Sequence, residues 1–121
     1  MKDHPFPETV LLSTADSGVV RPGRLPELLS VVQADLSLRL EEYREGHECA
    51  YEDDHLVAFF VDGDHWEAIA DRLGFETAAA DATRAAHAQL LMELGAGAGR
   101  RDEFANALDV LDCVIIDKTA V

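Results

Sequence analysis

Six residues with ligand or acid–base chemistry crowd one short stretch: His47, Cys49, His55, Asp62, Asp64 and His65. Imidazole, thiolate and carboxylate are the groups that hold zinc and neighbouring transition metals. His47 and Cys49 are two apart, so on a strand both side chains leave the same face. If the segments flanking Asp53-Asp54 pair as a hairpin, the three histidines approach one another. The stretch lacks the two-plus-two Cys and His spacing of a structural zinc site, and surface histidines with turn aspartates account for the same residues. His47, Cys49, His55 and His65 are the metal candidates, and no resident metal or cofactor is expected.

Other reactive side chains are scattered. His87 falls on the apolar face of a helical pattern with no identifiable nucleophile or carboxylate beside it, the position of a core histidine and not of a general base. Ser13, Ser17, Ser30 and Ser37 occur in no nucleophile-elbow context. Cys113 sits in an apolar run and reads as structural; Cys49 and Cys113 are far apart, and both read as reduced core residues. Gly95-Ala96-Gly97-Ala98-Gly99 before Arg100-Arg101 follows a helix and matches no phosphate-loop spacing, so it reads as a linker. No catalytic residues are assigned.

Residues 66–91 look like a helix-turn-helix. Ile69-Ala70, Leu73-Gly74 and Ala80 stand near the positions where that motif takes small residues at the helix crossing and glycine in the turn. On that resemblance, the helices span about 64–73 and 77–94, and Thr77, Ala78, Asp81 and Arg84 face the DNA groove. Seven carboxylates and only two arginines lie between Asp62 and Glu93. Such a surface repels phosphates unless concentrated salt screens it.

The elements that position these residues read as an α+β domain: a small antiparallel hairpin or sheet packed against about four helices. Residues 1–7 are a loose tail, Thr9–Ser13 a short strand, and Ala15–Gly23 a loop. Leu25, Leu28, Leu29, Val32, Leu36, Leu40 and Tyr43 recur at helical spacing up to Gly46. Residues 47–52 and 56–61 form the hairpin, its second strand central and covered on both faces. Asp64 and Glu67 read as a capping box for a helix closed by Gly74, and Thr77 as the cap of the next. Residues 95–101 are a glycine-rich linker. Phe104, Leu108, Leu111 and Ile115 suggest a last helix, with a strand at Val114-Ile115-Ile116 as the alternative. The whole chain, 1–121, reads as one domain.

Charge is the strongest signal. There are 24 acidic and 10 basic residues, a formal charge of −14, and only Lys2 and Lys118 are lysines. With 48% hydrophobic residues in clear periodicity, the chain is no disordered acidic tail. An acidic, lysine-poor, alanine-rich composition resembles cytosolic proteins of extremely halophilic archaea; the resemblance is one of composition, not of a functional family. It implies a cytoplasmic protein whose carboxylates are solvated and screened in concentrated salt. Nothing in the sequence predicts a membrane span or a secretion leader.

These readings predict a small, non-enzymatic interaction or regulatory module that self-associates or binds another protein. The alternative is a DNA-binding regulator that contacts nucleic acid only at high salt. No membrane partner is expected.

Overall fold

The computed structural model describes residues 24–118. The expected tail, first strand and first loop lie outside them. In chain order come α1 (Arg24–Ser37), α2 (Leu40–Gly46), β1 (Cys49–Glu52), β2 (Leu56–Val61), α3 (His65–Leu73), α4 (Thr77–Ala98), α5 (Arg101–Leu108) and β3 (Asp112–Asp117). The three strands form one antiparallel sheet in the order β1-β2-β3. The fold is α+β, as the residue pattern predicts.

The sheet is covered on both faces. Leu56, Ala58, Phe60, Cys113 and Ile115 join Leu25, Leu28 and Leu29 of α1, the alanine and leucine face of α4, and Phe104 of α5. Val57, Phe59, Val61, Val114 and Ile116 meet Val32 and Leu36 of α1, Tyr43 of α2, and Trp66 and Ile69 of α3. That is why all six residues of β2 are buried in one unbroken apolar run. The hairpin turn is built by Asp53, whose Oδ1 accepts from the amides of His55 and Leu56 at 2.8 and 2.9 Å. Glu52, at the end of β1, accepts from Arg44 and Lys118, which hold its carboxyl down to about 2.

Helix α1 contributes to both cores because it crosses the free edge of β3. Among the described residues that edge is closed by side chains and not by a further strand. Trp66 Nε1 donates to the Cys113 carbonyl at 3.0 Å, and the Ile115 amide donates to His87 Nδ1 at 2.9 Å. Gln33 spans the next step, its Nε2 donating to the Ile115 carbonyl at 2.5 Å and its Oε1 accepting from the Asp117 amide at 3.0 Å. Gln33 is 1% exposed and His87 fully buried. Each of these polar groups is affordable in the core because it satisfies backbone that water cannot reach.

Several local expectations are corrected. The helix expected over 25–46 breaks at Leu38-Arg39, where the Arg39 amide bonds to Leu36 O at 2.9 Å. The turn redirects the chain so that Tyr43 stacks on Phe59, with ring centroids 5.7 Å apart. The apolar phase continues through the break, so periodicity alone does not reveal it. The expected linker at 95–101 is instead the last turn of α4, its C-cap Gly99 in the left-handed conformation, and the start of α5 at Arg101. Gly95 is buried, and a Cβ there would lie 2.5 Å from the Phe104 ring. The glycine permits close approach of α5 and supplies no flexibility.

Residues 112–117 take the strand alternative, because the β-branched run Val114-Ile115-Ile116 pairs with β2 and is buried on both sides. Cys113 is thus a buried strand residue, and burial pushes its thiol pKa up; Cys49 is exposed and not a core residue. The capping box is not formed: Asp64 has helical backbone angles and makes no side-chain cap, while Glu76, not Thr77, precedes α4.

Two measurements check the closed edge. Gln33→Leu leaves one carbonyl and one amide of β3 unmatched, so denaturant unfolding should show a loss of roughly 2–4 kcal/mol; a loss within error would mean the clamp contributes nothing. His87 must stay neutral to accept from Ile115, and burial lowers its pKa to about 3. The unfolded chain takes up that proton near pH 6.5, so stability is full above 6.5, falls as pH drops toward 3, and levels off below. Between pH 7 and pH 5.5, above the carboxylate range, unfolding free energy should fall by roughly 1–2 kcal/mol. A flat profile there would show that no buried neutral histidine is present.

Candidate functional site

Where α2, the segment following it and α3 meet, they bring together Tyr43, His47 and His65. Tyr43 leaves α2 on the side facing the sheet. His47 follows that helix in extended conformation, and His65 opens α3. The Tyr43 hydroxyl and His65 Nε2 share a hydrogen bond of 2.5 Å. The His47 ring lies 5.1 Å from Tyr43 and 5.3 Å from His65, edge-on to the latter. Burial lowers the His65 pKa, helped by the neighbouring His47 and Arg72 and opposed by Asp62. Burial also raises the Tyr43 phenol to about 12, so it keeps its proton throughout the neutral range.

Two arginines frame this group. Arg72, in the last turn of α3, makes a two-pronged contact with Asp35 of α1 through Nε and Nη2, at 3.1 and 2.5 Å. Arg39, in the turn after α1, reaches the same carboxylate through Nε at 3.3 Å and approaches Glu42 at 3.6 Å. The hydrogen bond from Arg72 is the main reason the Asp35 carboxyl lies below its usual range; burial opposes it. Arg39, Glu42, Tyr43, His47, His65 and Arg72 line a pocket of about 110 Å³. It offers proton donors and acceptors but no serine or cysteine nucleophile.

Of the four metal candidates, only His47 and His65 come together. His55 is exposed at the hairpin turn, separated from His65 by the length of β2, roughly 20 Å. Cys49 is exposed, and its thiol contacts the Tyr51 carbonyl at 3.7 Å. Among the described residues no group of three or more His, Cys, Asp or Glu is arranged to hold a metal ion. His87 belongs to the closed edge of β3. The sequence candidates do not include Arg39, Tyr43 and Arg72; the one local sign of the first two is that Arg39, Tyr43 and His47 recur every fourth residue.

A second concavity, an open groove of about 360 Å³, lies between α3 and α4. Trp66, Ala70, Phe75 and Ala80 line it, together with Glu67, Asp71, Asp81 and Arg84. This is the helix pair of the helix-turn-helix reading, joined through Gly74 in the left-handed conformation. Thr77, Asp81 and Arg84 are exposed there, with Arg84 3.8 Å from Asp112. Ala78 does not face outward with them, because it packs on the core. Helix α4 is the central helix of the domain, and its Ala79, Ala82, Ala86, Leu90 and Leu91 are buried.

No curated protein and no solved structure matches the chain. A family model does, over residues 4–118, and so covers both concavities and all three strands. The chain belongs to that family, DUF8048, a domain of unknown function.

Proposed function

We propose that the chain is a small, non-enzymatic interaction or regulatory module that works in concentrated salt inside the cell and pairs with a second copy of itself. The observation that carries this reading is the outward face of α1. Val31, Ala34 and the adjoining Leu38 follow one another at helical spacing on the surface, with Val31 45% and Leu38 88% exposed. The opposite side of the same helix supplies both cores, so this stripe is surplus to folding. Two copies meeting across a two-fold axis would bury it against itself. A contact of this size is weak on its own, and concentrated salt supports it by screening the surrounding carboxylates.

Charge usage supports the high-salt part. Among the described basic residues, Arg24, Arg39, Arg44, Arg72, Arg84, Arg100 and Lys118 all stand in ion pairs with carboxylates of the same chain. Little positive charge is left to meet nucleic acid, and Glu67, Asp71 and Asp81 line the groove of the helix-turn-helix reading against Arg84 alone. That reading is accordingly the weaker one. No helix among the described residues is long and apolar enough to cross a membrane.

Sedimentation velocity in multi-molar KCl should show a concentration-dependent dimer in the parent chain. The Leu38→Glu variant, altered at an exposed position, should be monomeric with an unchanged melting temperature. A parent chain that stays monomeric at millimolar concentration, or a variant that still pairs through this face, overturns self-association. Separately, the melting temperature of the parent should rise steeply with KCl as repulsion among surface carboxylates is screened. A salt-insensitive melt overturns the high-salt reading.

A further inference from the structure

In a chain of net charge −14, the pocket at Tyr43 is unusual for gathering donors. Two guanidiniums, two imidazoles and a phenol line it, with Glu42 as the only carboxylate among the lining residues. We propose that this pocket binds a small tetrahedral oxyanion, of the class of inorganic phosphate or a phosphate monoester, held by Arg39, Arg72 and His47.

Three observations carry the assignment. Asp35 orients both guanidiniums: its contacts engage Nε and Nη2 of Arg72 and Nε of Arg39. Nη1 of Arg72 and Nη2 of Arg39 make no hydrogen bond among the described residues. A planar, pre-oriented fork with N–H groups to spare is the donor that phosphate oxygens match best. The His47 backbone amide bonds to the Tyr43 carbonyl, while its imidazole makes ring contacts with Tyr43 and His65 but no hydrogen bond within the described residues, so the ring N–H is a third donor. The volume, about 110 Å³, suits a compact anion and excludes a metabolite body, so a monoester would enter phosphate first.

The charges around the two imidazoles come from every element packed there: Asp35 of α1, Arg39 of the following turn, Glu42 of α2, Asp62 before α3, and Arg72 of α3. At neutral pH the two guanidiniums are offset by Asp35 and Glu42.

The test follows the ring resonances of His47, His55 and His65 by NMR while an oxyanion replaces chloride at constant ionic strength. Phosphate measures affinity. Sulfate serves as the control, because a phosphate group itself changes charge near pH 6. Saturable shifts are expected at His47 and His65 and not at His55, with a dissociation constant in roughly the millimolar range. Sulfate should give saturable shifts at the same two histidines as phosphate. Arg72→Gln should weaken binding about tenfold or more. His47→Gln, at a half-exposed position, should keep the fold and weaken binding several-fold. Absence of a saturable shift, an equal shift at His55, or variants that titrate like the parent would each overturn the site.

Discussion

The free edge of β3 is the constraint on which the rest of the structure depends. An edge strand presents unpaired amides and carbonyls, which invite pairing with another chain unless something covers them. Here Trp66, His87 and Gln33, from three different helices, bond to Cys113, Ile115 and Asp117. Each bond ties a helix to a defined register point on the strand. Helix α1 must cross the edge at Gln33, α4 must bring His87 against Ile115, and α3 must bring Trp66 to Cys113. Trp66 also lies edge-on to His87, with ring centroids 4.8 Å apart, so two of the three clamps brace one another. The placement of α3 that satisfies Trp66 also sets His65 and Arg72 beside Tyr43, and the candidate pocket therefore inherits its geometry from the clamp.

Charge is organised around the same frame. The carboxylates lie mainly on outer helix faces and in turns, while the described arginines lie mostly in pairs within the chain. Exposed pairs of this kind contribute little stability individually. Asp35 is different: at 12% side-chain exposure it gathers Arg39 and Arg72 from the α1–α2 turn and from α3, and so links the two sides of the pocket. The acidic coat and the donor-rich pocket are thus complementary consequences of where the few arginines are placed.

How much was legible in the residues depended on the range of the signal. The buried hairpin strand showed as Leu56–Val61, an apolar run too short for a helix and bounded by turn residues. The core faces of α1 and α4 showed as helical periodicity. The break at Leu38-Arg39 did not show, because Leu36, Leu40 and Tyr43 keep the same phase across it. The role of Gly95 does not show either, since a glycine serving close approach to Phe104 looks in sequence like one serving flexibility. Asp64 and Glu67 had the spacing of a capping box, but the turn from Asp62 to His65 closes with a backbone bond and leaves Asp64 helical.

The sequence by itself determined the acidity, the α+β class, the covered central strand and the placement of His87 on an inward face. These are properties of composition and of periods of two and 3.6 residues, which local geometry imposes before any tertiary contact exists. Only the tertiary structure decided that Gln33, His87 and Trp66 converge on one strand, and that Tyr43, His47 and His65 meet while His55 and Cys49 stay apart. Gln33 lies 82 residues from Ile115, and Tyr43 lies 22 from His65. Contacts at such separations arise from how helices pack across a sheet edge, and no local pattern in one chain encodes that crossing.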